Sequence, residues 1–148
     1  MANAIKWEAI WTSRGNVITT ELNSLADGGF ATGSSGIANG TNLDQYACCE
    51  ITLAALSPSA GAFVTLYVSH APDGSTYGDP PSATNPGGEM SVAVCTVETT
   101  GSDAKVITTP IFRIPPSGIK FTLKNNCGVS LASTGNTVEL FTCNDEVQ

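Results

Sequence analysis

The sequence predicts an all-β domain with many loops, and three observations carry that prediction. The first is composition: 18 Thr, 14 Ser, 15 Gly and 8 Pro stand among 148 residues. Such residues suit strands and turns, and few of them propagate helices. The second is alternation, since apolar and polar residues exchange places at every second position in one segment after another. The third is spacing. These segments recur about every 10–18 residues with turn signals between them, the pattern of a β-sandwich or jelly roll.

Taken in order, residues 1–20 read as an extended arm or a short first strand bearing Trp7 and Trp11. The two tryptophans stand at helical spacing, but the segment is short and uncapped. Residues 21–45 are loop-rich, with Asp27-Gly-Gly, Gly33-Ser-Ser-Gly and Asn39-Gly-Thr-Asn. Gly and Asn tolerate positive φ there. The run from Tyr46 to Leu56 is a clear strand, because Glu50 and Thr52 alternate with Cys49, Ile51 and Leu53. Pro58-Ser-Ala-Gly turns the chain into a second strand, Ala62 to Ser69, which is β-branched and aromatic.

Residues 71–88 hold four of the eight prolines and read as a long surface loop. Loops of this length are a common seat of function, and Asp73, Tyr77 and Asp79 are its candidate functional residues. Glu89 to Glu98 alternates again, with Met90, Val92, Val94 and Thr96 sharing a face. Lys105 to Ile114 is a strand interrupted by Pro110, which places it at an edge or a bulge. Ile119 to Lys124 turns Ile119, Phe121 and Leu123 inward. Asn136 to Cys143 closes the fold with Val138 and Leu140 on one face. The acidic tail from Asn144 is expected to fray. No three-turn helix and no internal repeat is visible, so residues 21–148 read as a single β-sandwich domain behind the 1–20 segment.

Charge narrows the function classes. The 6 Lys and Arg against 13 Asp and Glu give a formal charge of -7. A phosphate-backbone binder neutralises phosphates with Lys and Arg, so nucleic acid is not an expected partner. No apolar run approaches the roughly 18 residues of a membrane-spanning helix. Residues 1–8 show no basic region followed by an apolar run, and so do not read as a secretory signal. The five cysteines, Cys48, Cys49, Cys95, Cys127 and Cys143, then read as reduced thiols of a protein made in a cytosol. They lack CxxC pairs and nearby histidines for zinc. Cys48 and Cys49 are adjacent, so a strand points them to opposite faces.

Tests for chemistry return little. His70 is the single histidine, and no Gly-x-Ser-x-Gly elbow accompanies it. Glu50, Glu89, Glu98 and Glu139 are candidates for a glycosidase carboxylate pair, which needs a cleft; alternation puts them mostly on outer faces. Asp73 to Asp79 resembles a short calcium loop without the EF-hand spacing. Gly33-Ser-Ser-Gly36 lacks the Lys of a phosphate loop. No catalytic residue, metal site or cofactor is assigned, and the chain reads as a non-enzyme. Trp7, Trp11, Tyr67 and Tyr77 are the aromatics available for a carbohydrate surface.

Two segments carry a resemblance. One is Thr20-Glu-Leu-Asn-Ser-Leu-Ala-Asp-Gly followed by Gly36-Ile-Ala-Asn-Gly-Thr-Asn-Leu-Asp-Gln-Tyr-Ala. The other is Ala60-Gly-Ala-Phe-Val-Thr-Leu-Tyr-Val followed by Asp73-Gly-Ser-Thr-Tyr. Over roughly residues 20–80 the chain resembles small virion proteins of tailed bacteriophages, the capsid decoration or cement proteins. The resemblance implies an antiparallel, jelly-roll-like sandwich with a short extended N-terminal arm. It implies a homotrimer on the capsid exterior, made in the bacterial host cytoplasm, that binds the major capsid protein at capsomer junctions and stabilises the shell. It transfers no catalytic residue. Trp7 and Trp11 are then candidate inter-subunit contacts, since Trp is enriched among interface anchors. The alternative is a tail or head-surface module for host glycans. The five cysteines and the proline-rich loop depart from the family pattern.

Overall fold

In the strand from Gly118 to Asn126, Ile119, Phe121 and Leu123 are buried at alternate positions. That alternation buries one face of a pleated strand, and a facing sheet must cover it. The computed structural model describes residues 5–7, 11–85 and 90–147, and for residues 5–7, 146 and 147 the backbone alone. Twelve strands are described: β1 (Ile5–Trp7), β2 (Thr12–Ile18), β3 (Phe30–Thr32), β4 (Ile37–Ala38), β5 (Tyr46–Leu53), β6 (Phe63–Ala71), β7 (Ser91–Thr96), β8 (Lys105–Thr108), β9 (Phe112–Arg113), β10 (Gly118–Asn126), β11 (Thr137–Cys143) and β12 (Asp145–Val147). A 3-10 turn, Thr20–Leu22, links β2 toward β3.

The first sheet runs β3-β10-β6-β7, with β4 also on β10. The second runs β2-β11-β5-β8, with β9 also on β5. Every pairing is antiparallel. The chain passes repeatedly from one sheet to the other, so each sheet interleaves early and late strands in a jelly-roll-like order. The outer pairings are nested: β1 with β12, β2 with β11, β3 with β10. Neither sheet closes on itself, which excludes a barrel.

The core lies between the sheets. Ile119, Phe121, Leu123, Val64 and Leu66 from the first meet Cys49, Ile51, Leu53, Val138 and Leu140 from the second. Leu22 of the 3-10 turn closes one side and is fully buried. Phe112 packs on Phe121 edge to face, with ring centroids 6.3 Å apart. Each such side chain contributes about 1.5–3 kcal/mol by leaving water.

The strands from Tyr46 onward fall where alternation places them, and β8 and β9 part around Pro110. Elsewhere the structure differs from the sequence reading. Part of the 1–20 segment is β2, a seven-residue strand of the second sheet with Val17 and Ile18 buried. Gly15 at φ +83° and two register shifts against β11 bend it. The loop-rich 21–45 stretch contains β3 and β4. The tail is not frayed throughout, since Asp145–Val147 pairs with Ile5–Trp7. On β7 the buried residues are Ala93 and Cys95, continued by Val97 just beyond it, while Val94 and Thr96 face solvent. Val92 sits at a bulge in β7 opposite Leu66 and Tyr67 and packs partly on the core, so it parts from Val94 and Thr96.

Candidate contact surface

The segments that carry the resemblance build the fold. Asn39 is buried and donates its amide to the carbonyls of Asp44 and Pro115, both at 2.8 Å, while its Oδ1 accepts the Asp44 N–H at 3.0 Å. This holds the 39–44 loop rigid. Asp44, 6% exposed, then accepts from Arg14 Nε at 2.9 Å, Arg14 Nη2 at 2.5 Å and the Thr142 hydroxyl at 2.8 Å. One carboxylate thereby ties β2, β11 and the start of β5 together. Glu21 bridges the 3-10 turn to the Ser34 loop by accepting the N–H groups of Thr19 and Ser34. Burial pushes its carboxyl up, but those N–H groups prevail and hold it below the usual range.

The 71–85 loop uses its candidate residues in the same constructive way. Asp73 accepts the N–H groups of Ser75 and Thr76 at 2.9 and 2.7 Å. Those bonds, Thr76 first, hold its carboxyl well below the ordinary carboxylate range. The Tyr77 hydroxyl lies against Gly36 and Gly118, where a Cβ would collide with it. Both glycines are required by that close approach. The Lys120 ammonium sits 5.2 Å from the Tyr77 ring centroid. Asp79 is exposed and takes no part in these ties.

The chemical candidates remain apart. His70 is exposed at the end of β6, and its carbonyl accepts the Gly78 N–H. Glu50 and Glu139 are direct cross-strand neighbours, half-buried on the open outer face of the second sheet rather than in a cleft. The Ser13 hydroxyl donates to Glu139. Glu98 is exposed and accepts the Thr100 hydroxyl; Glu89 lies outside the described residues. No group of three His, Cys, Asp or Glu gathers for a metal among the described residues. None of the five cysteines is in a disulfide; Cys48 is half-buried and the other four are buried. Burial, then neighbouring Asp27, pushes the Cys127 thiol up to about 11. A cavity of about 170 Å³ beside it is lined by Asp27, Ser59, Gly61, Asn126 and Gly128 among others.

Of the aromatic set, Trp11 is half-buried just before β2 and Tyr67 is buried against Phe30, with centroids 6.2 Å apart. The Trp7 side chain lies outside the described residues, although its backbone is in β1.

What the structure exposes is aliphatic. Leu43 (56%), Val94 (65%), Val106 (63%) and Ile111 (52%) are the large hydrophobic residues left in solvent among the described residues. Val94 is on β7, Val106 on β8 and Ile111 just before β9, while Leu43 precedes β5 beside β9. Val94 pairs with Thr65 on the outer face of the first sheet and Val106 with Thr52 on the outer face of the second, so these two point away from each other, while Leu43 and Ile111 flank the start of β5 and β9. Leu43 also has φ +54°, a strained conformation for a bulky residue, and its N–H donates to the Asn39 carbonyl at 2.9 Å. Sequence reasoning missed these residues because alternation alone does not say which of two apolar faces turns to the core. No family model matches the chain, and comparison with curated proteins found no match.

Proposed function

We propose that the chain is a structural virion protein of a tailed bacteriophage. It decorates the capsid exterior at capsomer junctions as a homotrimer and stabilises the shell by added contact area. The observation that supports this reading is the set of large aliphatic residues, Leu43, Val94, Val106 and Ile111, left exposed among the described residues of a sparsely charged sandwich. Val94 and Val106, on the outer faces of two edge strands, are apolar area that contact with a neighbouring protein would cover. Burying them against a shell protein gains roughly 25 cal/mol per Å² of apolar area, less the cost of association. Such a role needs rigid shape rather than a titratable centre, and the Asn39–Asp44–Arg14 ties supply rigidity next to Leu43.

The host-glycan alternative draws on Trp7, Trp11, Tyr67 and Tyr77. Tyr67 is buried and Tyr77 is engaged by Lys120, so the described part of that set offers little stacking surface. The test is quantitative peptide mass spectrometry on virions separated into heads and tails, followed by heat and osmotic challenge of heads with and without the protein. Hundreds of copies on heads, and more fragile heads without them, are the expected results. A few copies confined to tails, or heads equally resistant without it, would overturn the proposal.

A further inference from the structure

We propose that the open edge of β7 accepts an extended, lysine- or arginine-bearing segment of a partner protein as an added strand. The inference deepens the contact-protein reading on which it rests, by naming the edge and the chemistry it takes.

The phase of the ladder is fixed by one bond. The Val97 N–H donates to the Ala62 carbonyl at 2.9 Å, and these residues continue the β6–β7 register. In an antiparallel pair, hydrogen-bonded and non-hydrogen-bonded positions alternate. Cys95–Val64 and Ala93–Leu66 are therefore the bonded pairs. Val94 and Thr96 direct their N–H and C=O groups away from β6, toward the open edge.

Six outer strands of the two sheets compete for this role, and five are guarded. β2 is bent by Gly15 and its register shifts. β3 has three residues, and β4 and β9 have two each. β8 has four, stops before Pro110 and turns Lys105 inward, where its Nζ donates to the Thr100 carbonyl at 2.6 Å. Shortness, bulges, proline and inward charge are the devices that protect sheet edges from pairing. β7 carries one bulge, at Val92, and beyond it the pairing with β6 runs unbroken from Ala93 to Thr96. Its six residues, Ser-Val-Ala-Val-Cys-Thr, include no proline and no charge. Its outward face carries Val94, the most exposed of the large hydrophobic residues among those described.

Charge selects the occupant. The exposed Glu98 follows β7 and the chain carries -7 overall, so a basic segment is attracted to this edge. Main-chain bonds at Val94 and Thr96 would hold the segment, and its alternate apolar side chains would cover Val94.

The probe is an acetylated, amidated peptide, Lys-Thr-Val-Thr-Val-Thr-Lys, with the Glu-for-Lys peptide as its counterpart. Amide exchange is followed by NMR on the full chain. The expected result is exchange slowed about tenfold at Val94 and Thr96 by the lysine peptide and unchanged by the glutamate peptide. Val94→Pro removes an N–H that β6 does not use and should abolish the effect; Val94→Lys should do so without touching the main chain. Protection absent from Val94 and Thr96, equal with both peptides or centred on β8 would overturn the proposal. So would sedimentation showing that β7 pairs with a second copy. None of these readouts uses phage heads. A chain that coats heads yet ignores the peptide refutes the edge and spares the virion reading; the converse result does the opposite.

Discussion

Replacing Asp44 by alanine tests the joint between β2, β11 and β5. The carboxylate accepts two bonds from Arg14, one from Thr142 and one from Asn144. Removing one member of a buried pair costs about 3–5 kcal/mol, because the remaining charge is left without its partner. Here the Arg14 side chain is 25% exposed and can recover part of its hydration. The Thr142 hydroxyl also still accepts from Arg14 Nε at 2.8 Å. The expected loss is therefore about 2–3 kcal/mol, or a fall in Tm of roughly 5–10 °C for a chain of this size. Urea denaturation and calorimetry at neutral pH measure it. The pair Arg14→Met with Asp44→Leu should lose less than Asp44→Ala alone, since it leaves no buried charge unpaired. A Tm for Asp44→Ala within about 1 °C of the parent, or a double variant no better than the single, would refute the reasoning.

Three other outcomes follow from the described contacts. Phe121→Ala, at 1% exposure between the sheets, should cost about 3–5 kcal/mol in chemical denaturation. The Cys127 thiol is raised from 9.0 to about 11 in the fold, so its contribution is fully present below pH 9 and is lost as pH rises toward 11. Denaturation midpoints that fail to fall across that alkaline window would contradict the burial. The Asp73 carboxyl is lowered from 3.8, so its hold on the 71–85 loop is present above that pH and weakens below it. Ring signals of Tyr77 in NMR should report the loosening first in acid, and Asp73→Ala should show it at neutral pH.

How far the sequence could be read depended on whether polar and apolar residues truly alternate. In β5 and β11 one set is apolar and the other is polar, so the faces of Ile51, Leu53, Val138 and Leu140 were legible. In β7 both sets are apolar or small, and alternation alone cannot say which turns inward. Pairing with β6, which sets Cys95 opposite Val64 and Ala93 opposite Leu66, turns Cys95 inward and Val94 outward. β2 was obscured for another reason. Thr12-Ser-Arg-Gly-Asn reads as polar coil, and tertiary pairing with β11 makes it a strand. Motifs were visible as letters, but their work was not. Asn39 and Asp44 look like loop residues until their partners Pro115, Arg14 and Thr142 arrive from distant parts of the chain.

The nested pairing of early strands with late ones governs how this chain can be made. β2 finds β11, and β3 finds β10, only after more than half of the polypeptide has been synthesised. High contact order slows folding, because loop-closure entropy is lost before these pairings reward it. During translation the early strands therefore wait with their apolar faces unpaired, open to association with other nascent chains. The most local pairing is β6 with β7, separated in the chain by residues 72–90. A nucleus there would already hold two neighbours of the first sheet, onto which β10 adds late and brings β3 with it. Production in quantity would then depend on release from the ribosome before crowding sets in, and lowering the rate of synthesis should raise the soluble yield.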